Sequence, residues 1–469
     1  MISFTIKLTI MDTLKQSPAV ESADLATAHL RKIISGKVLE SVDDGYDETR
    51  RIWNGMIDRR PALIVRCATL NDVIEAVKFG TSSNLLISVR GGGHNISGNA
   101  VCDNGLMIDL SLMRKVKVNP EQKIATAEGG ATWGDFDRAT QVFGLATTGG
   151  IVSTTGIAGL TLGGGVGWLM GRFGLSCDNL ISAEVVTAEG EVLIASDAEN
   201  PELFWGLKGG GGNFGIVTSF TYRLHPVSTV LGGMILHPMN NAKEVLQFYR
   251  EFIKTCPDEL TLYASFIHTP DGLPVCGFVG CYSGDLEKGE KVLEPVRKFG
   301  QPIADLMQQQ PYGQIQTMIE TPFPHGNRYY WKSGYLESLS DDAIDTIISF
   351  AQTISSPISG ILLENYGGAV NRPAPPSAFP HRKNQIDLVI VSNWLNPEED
   401  DQHIQWTRNF WNAMQPYSSK RVYVNALGIE GEERVREAYG ESYDRLLALK
   451  RRYDPKNVFK MNQNINPLP

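Results

Sequence analysis

The sequence predicts an α+β protein built from two domains. Its 469 residues exceed the length at which a single hydrophobic core usually suffices. Through residues 45–228, apolar runs of strand length alternate with segments of helical periodicity, and dense glycine clusters lie between them. The last cluster ends at residue 215, and after about residue 230 the composition changes and a second alternation of helices and strands begins. We therefore predict a first domain at 45–228 and a second domain at 229–425.

The flanking segments complete this organisation. Residues 1–44 are predicted to form an N-terminal extension and a leading helix. The apolar start of the extension is interrupted by Lys7, no signal-cleavage pattern follows it, and Met11 could be a second start. Residues 426–469 show one long helical pattern that ends at Pro455, followed by an extended segment.

Composition narrows the class of partner. The chain has 43 Lys and Arg against 52 Asp and Glu, a net charge of −9, which disfavours nucleic acids and anionic membranes. No run of about 18 apolar residues predicts a membrane-spanning helix. The six cysteines lack CxxC spacing, and His325, His381 and His403 lack metal-ligand spacing, so we expect buried thiols and no metal. A small-molecule partner and a cytoplasmic location are expected.

Local patterns in the first domain predict individual elements. LLISVR at 85–90 is typical of a buried strand, and the helix before it is expected to begin after a capping Thr69. Residues 183–195 predict a hairpin that turns at Gly190, and residues 215–224 predict a further strand.

The second domain is predicted to be a sheet with helices on one face. Helical periodicity covers 241–256 and 341–354, and strand-like apolar runs lie near 260–282, 358–364 and 386–392. The aromatic cluster NRYYWKSGY is better explained as part of this sheet than as a ring-stacking platform.

Glycine is concentrated in the first domain. Of the 47 glycines, 26 lie between Gly91 and Gly215, mainly in RGGGHNISG (90–98), TTGGIVSTTGIAGLTLGGGVGW (147–168) and LKGGGGNFG (207–215). Such clusters let backbone N–H groups approach a ligand, especially an anion. None has the Lys of a GxxxxGK[ST] loop or fits GxGxxG opening a helix. We expect the three clusters to contact one extended ligand. If that ligand carries phosphate, neither of the two standard phosphate-binding motifs explains how it is bound.

Taken together, these segments resemble a known family: the FAD-linked oxidoreductases of the vanillyl-alcohol-oxidase and p-cresol-methylhydroxylase (PCMH) superfamily, in the berberine-bridge-enzyme-like branch. The matching elements, in family order, are YDETRRIWNGMIDRRPALIVRC (46–67), SVRGGGHNISG (88–98), TTGIAGLTLGGGVGWLMGRFGLSCDNL (154–180), FWGLKGGGGNFGIVTSF (204–220) and YDPKNVFKMNQNINP (453–467). The resemblance implies a PCMH-type FAD-binding domain at 45–228 and a substrate domain at 229–425, an antiparallel sheet covered by helices. It also implies that the segment 426–469 returns to the FAD domain.

The resemblance implies that FAD is bound covalently through a ring nitrogen of His94 to the flavin 8α-methyl carbon. The loop expected to wrap the pyrophosphate contains Arg90, Gly91, Gly92, Gly93, Asn95 and Gly98. Further flavin contacts carried over from the family motifs are Ser153, Thr154, Gly156, Gly159, Gly163, Gly164, Gly165, Asp178, Asn179, Gly215, Ile216, Val217, Asn462 and Gln463. Many relatives form a second bond from a cysteine, but Val152 stands at that position, so a single covalent link is expected.

The family's catalytic base is less clearly marked. It is often a Tyr in a YxNY segment, but here VYVNAL keeps Tyr423 and places Ala426 at the usual base. Plant relatives use a Glu on the strand after an FPHR segment, and Asp387 stands near that position. Tyr366 and Glu364 are further candidates, and our order of preference is Tyr423, Asp387, Tyr366, Glu364.

The resemblance therefore implies an FAD-dependent oxidase. A hydride would pass from a small-molecule alcohol, sugar hydroxyl or amine to flavin N5, and dioxygen would reoxidise the flavin with release of hydrogen peroxide. Three alternatives stay open: a dehydrogenase with another electron acceptor, a non-catalytic flavin-binding protein, and a nicotinamide-dependent dehydrogenase. The last predicts a colourless protein.

Overall fold

The computed structural model describes residues 18–468, apart from residues 321, 373, 374 and 384. The predicted second start at Met11 lies outside the described residues. The helices are α1 (Pro18–Ile33), α2 (Tyr46–Arg50), α3 (Leu70–Ser82), α4 (Trp133–Gln141), α5 (Ile157–Leu162), α6 (Met170–Phe173), α7 (Pro201–Leu207), α8 (Ala242–Phe252), α9 (Leu286–Lys298), α10 (Tyr312–Ile315), α11 (Asp341–Ala351), α12 (Asp400–Met414), α13 (Glu432–Tyr439) and α14 (Tyr443–Tyr453). The strands are β1 (Lys37–Leu39), β2 (Leu63–Arg66), β3 (Ile87–Arg90), β4 (Leu106–Asp109), β5 (Val116–Asn119), β6 (Ile124–Glu128), β7 (Leu145–Ala146), β8 (Leu180–Val186), β9 (Val192–Ser196), β10 (Ile216–Arg223), β11 (His225–Pro226), β12 (Thr229–Pro238), β13 (Leu260–His268), β14 (Pro274–Tyr282), β15 (Ala304–Asp305), β16 (Gln308–Pro311), β17 (Arg328–Leu336), β18 (Gly360–Tyr366) and β19 (Gln385–Trp394).

The first part of the chain forms two main sheets. One has the order β1-β2-β4-β3, with β4 parallel to both β2 and β3, and the other is the antiparallel sheet β5-β6-β10-β8-β9. The predicted strands at β3 and β10 and the hairpin β8–β9 are confirmed. The predicted cap is also confirmed, because Thr69 Oγ1 accepts the Asp72 N–H at 3.2 Å where α3 begins.

The second part forms one large antiparallel sheet of order β15-β12-β14-β13-β18-β19-β17, with β16 paired to β12. Alternate side chains of its central strands point to opposite faces. Leu262, Ile361 and Ile390 pack on one face against the apolar sides of α8, α11 and α12. Tyr263 and Tyr335 lie on the other face, in the core shared with the first part. The expected helices and strands are present, and the helices α8, α11 and α12 pack on a single face.

The C-terminal tail differs from the sequence prediction of one long helix. Two helices, α13 and α14, are separated at Gly440, whose φ of 46° and ψ of −131° are incompatible with a continuous helix. After α14 the chain packs on the third glycine cluster: buried Lys450 Nζ donates to the carbonyl oxygens of Asn213 and Phe459 at 2.9 and 2.8 Å. Within the described part of the chain, no helix is both long enough and apolar enough to cross a bilayer.

Candidate active site

A cavity separates the glycine-rich loops of the first part from the face of the large sheet opposite α8, α11 and α12. Its walls include the predicted residues Gly91, Gly92, Gly93, His94, Asn95, Gly156, Gly159, Gly215, Ile216, Val217, Glu364, Asp387, Tyr423, Asn462 and Gln463. Val152 also lines it. The cavity thus brings together residues from the two parts of the fold and from the C-terminal tail.

Glycines form much of one wall because the backbones there are in close contact. A Cβ atom on Gly92 would lie 2.3 Å from the backbone nitrogen of Gly156, and one on Gly156 would lie 2.4 Å from that of Gly92. Gly93 and Gly215 adopt φ angles of 73° and 156°, which L side chains rarely allow. The wall is therefore backbone rather than side chain, as a ligand held by N–H groups requires.

His94 lies in the cavity wall beside an aromatic stack. Its ring is stacked 5.2 Å from Trp53, which itself stacks on Tyr329 at 3.7 Å, and its Nδ1 lies 3.4 Å from Thr155 Oγ1. Burial, followed by the nearby charge of His325, lowers the pKa of His94 to about 4. The imidazole is therefore neutral at physiological pH and has a free electron pair for bond formation or hydrogen bonding.

The LGGG segment (residues 162–165) holds Tyr423 in the cavity wall. Side chains at Gly163, Gly164 and Gly165 would collide with Asn425, Phe379 and Ser176, respectively. With no side chain in the way, Gly165 N–H donates to the Tyr423 hydroxyl at 3.0 Å, and Asn425 Nδ2 donates to it at 2.8 Å. Two donated hydrogen bonds favour the ionised phenol, but burial is the larger effect and raises the pKa of Tyr423.

Two carboxyl groups lie side by side in the sheet wall. Glu364 of β18 and Asp387 of β19 are directly opposed in the antiparallel register, so their side chains share a face. Burial raises the pKa of Asp387 to about 7, although a 2.7 Å hydrogen bond from Ser333 Oγ lowers it. Burial, followed by the charge of Asp387, raises the pKa of Glu364 to about 8. Both groups can therefore exchange protons near neutral pH.

Some predicted site residues are engaged elsewhere. The Arg90 guanidinium pairs with Asp109 at 2.6 Å behind the first loop, and Gly98 turns that loop with φ 75°. Asp178 pairs with Arg382 at 2.6 Å, and the Asn179 amide donates to backbone carbonyls at 2.9 and 3.0 Å. These side chains support loops next to the cavity, so their direct contact with a flavin stays a prediction.

Three further predicted residues also lie outside the cavity wall. Ser153 is hydrogen-bonded to Glu320, Thr154 is exposed, and Tyr366 is buried edge-on against Tyr335 at 5.3 Å. Their proposed roles also stay predictions.

Sequence reasoning missed residues that only the fold brings to the cavity. Trp53 lies within a recognised motif, but its stacking partner His94 is distant in the sequence. Ile319, Phe323 and Trp331 add an apolar wall from the second part of the chain. Trp331 belongs to the aromatic cluster assigned to the sheet, and it does lie on β17.

The residues present fit FAD. Backbone N–H groups line the region expected to hold the pyrophosphate, and no Lys or Arg appears among the described lining residues. The amide of Asn462 donates to Gly212 O at 3.1 Å, while its Oδ1 is buried without a hydrogen-bond partner. A nucleotide donor group would satisfy that oxygen.

Comparison with known proteins identifies the family. A family model described as "FAD binding domain" matches residues 61–196, and one described as "Berberine and berberine like" matches residues 422–466. An FAD-linked oxidoreductase of Dictyostelium discoideum is 34% identical over 441 residues, covering 93% of this chain and 95% of that protein. The chain belongs to the berberine-like family of FAD-linked oxidoreductases.

The similarity to known proteins extends along nearly the whole chain, in sequence and in structure. The (R)-6-hydroxynicotine oxidase of Paenarthrobacter nicotinovorans is 30% identical, with 92% of this chain and 97% of that protein covered. The crystal structure of 6-hydroxy-D-nicotine oxidase from Arthrobacter nicotinovorans matches with a TM-score of 0.86 at 29% identity, covering 93% of this chain and 98% of that one. The predicted family and its two-domain α+β fold are confirmed, and the protein is an FAD-dependent oxidoreductase.

Proposed function

We propose that this oxidoreductase carries FAD on a single covalent bond to His94 and acts as an oxidase. Its substrate is an alcohol, sugar hydroxyl or amine, and the electrons pass to dioxygen with release of hydrogen peroxide. The observation that carries the proposal is the position of a neutral imidazole on the glycine loop, across one cavity from ionisable groups of the sheet. The bound FAD would supply the hydride acceptor.

The chain's own residues have distinct tasks in this proposal. Gly92 and Gly156 let the two glycine loops meet backbone to backbone, and the cavity wall that they form would hold the pyrophosphate. The Glu364–Asp387 pair accepts the proton that leaves the substrate oxygen or nitrogen, because its pKa values lie near neutrality. Burial disfavours Tyr423 as the base, so we assign its hydroxyl to orienting the substrate or flavin.

A single covalent link is supported by the side chains in the cavity wall. Val152 lines the cavity and has no nucleophilic atom. Cys177 is a free, buried thiol that is not among the described residues lining the cavity, and its sulfur lies 3.8 Å from Asp178 Oδ1. All six cysteines are free thiols, which supports the cytoplasmic location that we also propose.

Acid precipitation followed by peptide mass analysis tests the covalent link. We expect a yellow pellet, flavin on the peptide that contains His94, and no flavin on any cysteine peptide. The matched variant His94→Ala should release its flavin into the supernatant. Free flavin in the supernatant of the unaltered protein would contradict the covalent bond.

The electron acceptor requires a separate measurement. The oxidase assignment draws support from the 6-hydroxynicotine oxidase that this chain matches in sequence and in structure. We expect a substrate-reduced enzyme to yield about one peroxide per flavin when it is mixed with air-saturated buffer. Turnover with a dye but without peroxide would instead identify a dehydrogenase.

A further inference from the structure

The sheet wall of the cavity has two acidic side chains, and no positively charged side chain lies among the described lining residues. Glu364 and Asp387 are the centre of a row across four strands, in which Tyr263 of β13 faces Glu364 and Tyr335 of β17 faces Asp387. Among the described residues that line the cavity there is neither Lys nor Arg. No described lining side chain can therefore neutralise an ionised carboxylate there.

Hydrogen bonds do not compensate for the missing cation. Asp387 is fully buried; its Oδ1 accepts the Ser333 hydroxyl at 2.7 Å, while its Oδ2 has no hydrogen-bond partner. No described side chain donates a hydrogen bond to Glu364, whose exposed fraction is 5% and which borders the cavity. An ionised carboxylate at this depth is costly unless a cation or several donors face it.

The titratable side chains that neighbouring elements place around Glu364 and Asp387 are neutral. Burial raises the pKa values of the tyrosines on this face and at the adjacent wall, so their hydroxyls stay protonated: Tyr263, Tyr335, Tyr366 and Tyr423. The imidazole of His94, in the wall of the same cavity, is uncharged at neutral pH because burial lowers its pKa. A positive charge must come from the ligand.

We propose that the Glu364–Asp387 pair is a cation-binding site and that the substrate is a protonated amine with an apolar body. This inference rests on the proposed function and specifies its substrate class. The residues beside the pair on the same sheet face, Leu362 and Val389, are apolar, as are nearby Val391, Trp331 and Phe323 in the cavity wall. A sugar would place several hydroxyl groups against this surface without partners, whereas an amine needs only one charged contact.

The pair is matched to one positive charge. Two carboxyl groups held in directly opposed cross-strand positions do not readily ionise together, so they retain one proton and a net charge of about −1. An ammonium group beside them would offer N–H donors to Glu364, which borders the cavity, and its charge would also stabilise ionised Asp387, whose buried Oδ2 lacks a hydrogen-bond partner. It would also favour ionisation of both carboxyls, which makes the pair ready to take a proton.

The chemical step balances with these groups. The ammonium nitrogen loses one proton to the carboxyl pair, and the carbon beside it loses a hydride, so an N–H and a C–H bond break and a C=N double bond forms. The amine is oxidised by two electrons and FAD is reduced by the same two. The product is an iminium cation, which carries the same charge as the substrate did.

Binding of two matched probes to the oxidised holoenzyme tests the proposal. The ammonium 2-phenylpropan-2-ylamine and the neutral alcohol 2-phenylpropan-2-ol have nearly the same shape, and neither has a hydrogen on the carbon beside its heteroatom, so neither is turned over. We expect calorimetry at pH 7.5 to show that the amine binds at least about tenfold more tightly, as expected for a charged hydrogen bond. Equal binding, tighter binding of the alcohol, or no binding of the amine would overturn the proposal.

Variants that remove one carboxyl charge test whether the preference for the amine probe comes from the Glu364–Asp387 pair. Glu364→Gln and Asp387→Asn should each weaken binding of the amine by about tenfold or more and change binding of the alcohol by less than about threefold. Glu337→Gln, which removes an exposed carboxyl just beyond β17, should change neither. Unaltered amine binding in both cavity variants, or equal weakening of both probes, would refute the assignment to this pair.

A turnover pair separates this inference from the proposed function. N-methylbenzylamine should bleach the holoenzyme's flavin under anaerobic conditions, and benzyl alcohol should bleach it far more slowly. Rapid bleaching by the alcohol alone would overturn the amine assignment while leaving the covalent flavoenzyme intact. Loss of flavin on acid treatment would instead reject the His94 link, whichever probe binds.

Discussion

Asp387→Asn is the substitution that best tests the assignment of the base. It removes the ionisable group while keeping an oxygen that can accept the 2.7 Å hydrogen bond from Ser333. The position is fully buried in β19, and the amide has almost the same volume as the acid, so we expect the sheet to be preserved. A change in rate can then be attributed to proton transfer rather than to misfolding.

The expected magnitude follows from the position of the pair. A positioned general base usually contributes about 10²–10⁴-fold, and we expect a loss of this size in the rate of flavin reduction. In the unaltered enzyme the rate should rise with pH through about 7, because Asp387 has a raised pKa and must be ionised to accept a proton. In Asp387→Asn this rise should disappear or follow the titration of Glu364, whose pKa should lie below its value in the unaltered enzyme because the charge of Asp387 no longer raises it.

Anaerobic stopped-flow spectroscopy of the flavin, over a range of pH with substrate well below saturation, provides the assay, because the rate then reports the pKa values of the free enzyme. Tyr423→Phe is the matched comparison, because it removes the competing candidate from the same cavity. We expect it to slow flavin reduction by about tenfold or less, as loss of an orienting hydrogen bond would. The reasoning would be refuted if Tyr423→Phe lost about a thousandfold and Asp387→Asn kept both its rate and its pH dependence.

Four other outcomes follow from the structure. Tyr423→Phe should lower the free energy of unfolding by about 1–3 kcal/mol in a denaturant titration, because Gly165 N–H loses its acceptor; an unchanged midpoint would contradict this. Val152→Cys places a thiol in the cavity wall, and peptide mass analysis should then find flavin bridging two peptides. Gly92→Ala should abolish FAD retention, since its Cβ would lie 2.3 Å from a backbone nitrogen; normal flavin content would show that the loop can relax. Burial raises the pKa of Asp137 to about 7, so the stability that its protonated form contributes below about pH 4 is lost as the pH rises to about 7. Asp137→Asn should therefore unfold at a higher temperature than the unaltered protein at pH 8, but not at pH 4.

Local patterns predicted the helices, the strands and the glycine loops because their causes are local. Thr69 caps the helix that follows it, and Gly190 has the φ of 79° that a hairpin turn favours. The break at Gly440 was missed because the apolar periodicity continues across it, and a glycine inside a helix costs only about 1 kcal/mol relative to alanine. Tertiary contacts of α13 and α14 contribute more free energy than a penalty of that size, so they, rather than the local sequence, decide whether the helix continues through Gly440.

The site was predicted less completely than the loops that border it. Glu364 and Asp387 were each identified as candidates, but their pairing depends on the β18–β19 register, which no local pattern reveals. Tyr263 and Tyr335 complete the row only because β13 and β17 flank those strands. A row across a sheet combines residues that are far apart in the sequence, so it becomes visible only when the order of the strands is known.

The contrast between Asp387 and Asp137 shows which buried carboxyls indicate function. Burial raises the pKa of each to about 7, so the shift alone does not distinguish them. Asp137 likewise has one bonded and one unpartnered oxygen, because its Oδ2 accepts the Gln316 amide at 2.9 Å and its Oδ1 has no hydrogen-bond partner. It lies in α4, outside the described cavity wall, so a ligand in the cavity would not contact it. Asp387 borders the cavity next to a second carboxyl, that of Glu364, and its buried Oδ2 has no hydrogen-bond partner. Two adjacent acids without a cation destabilise the apoprotein, and a bound ammonium group would remove that cost, which is why we connect this pair with substrate recognition.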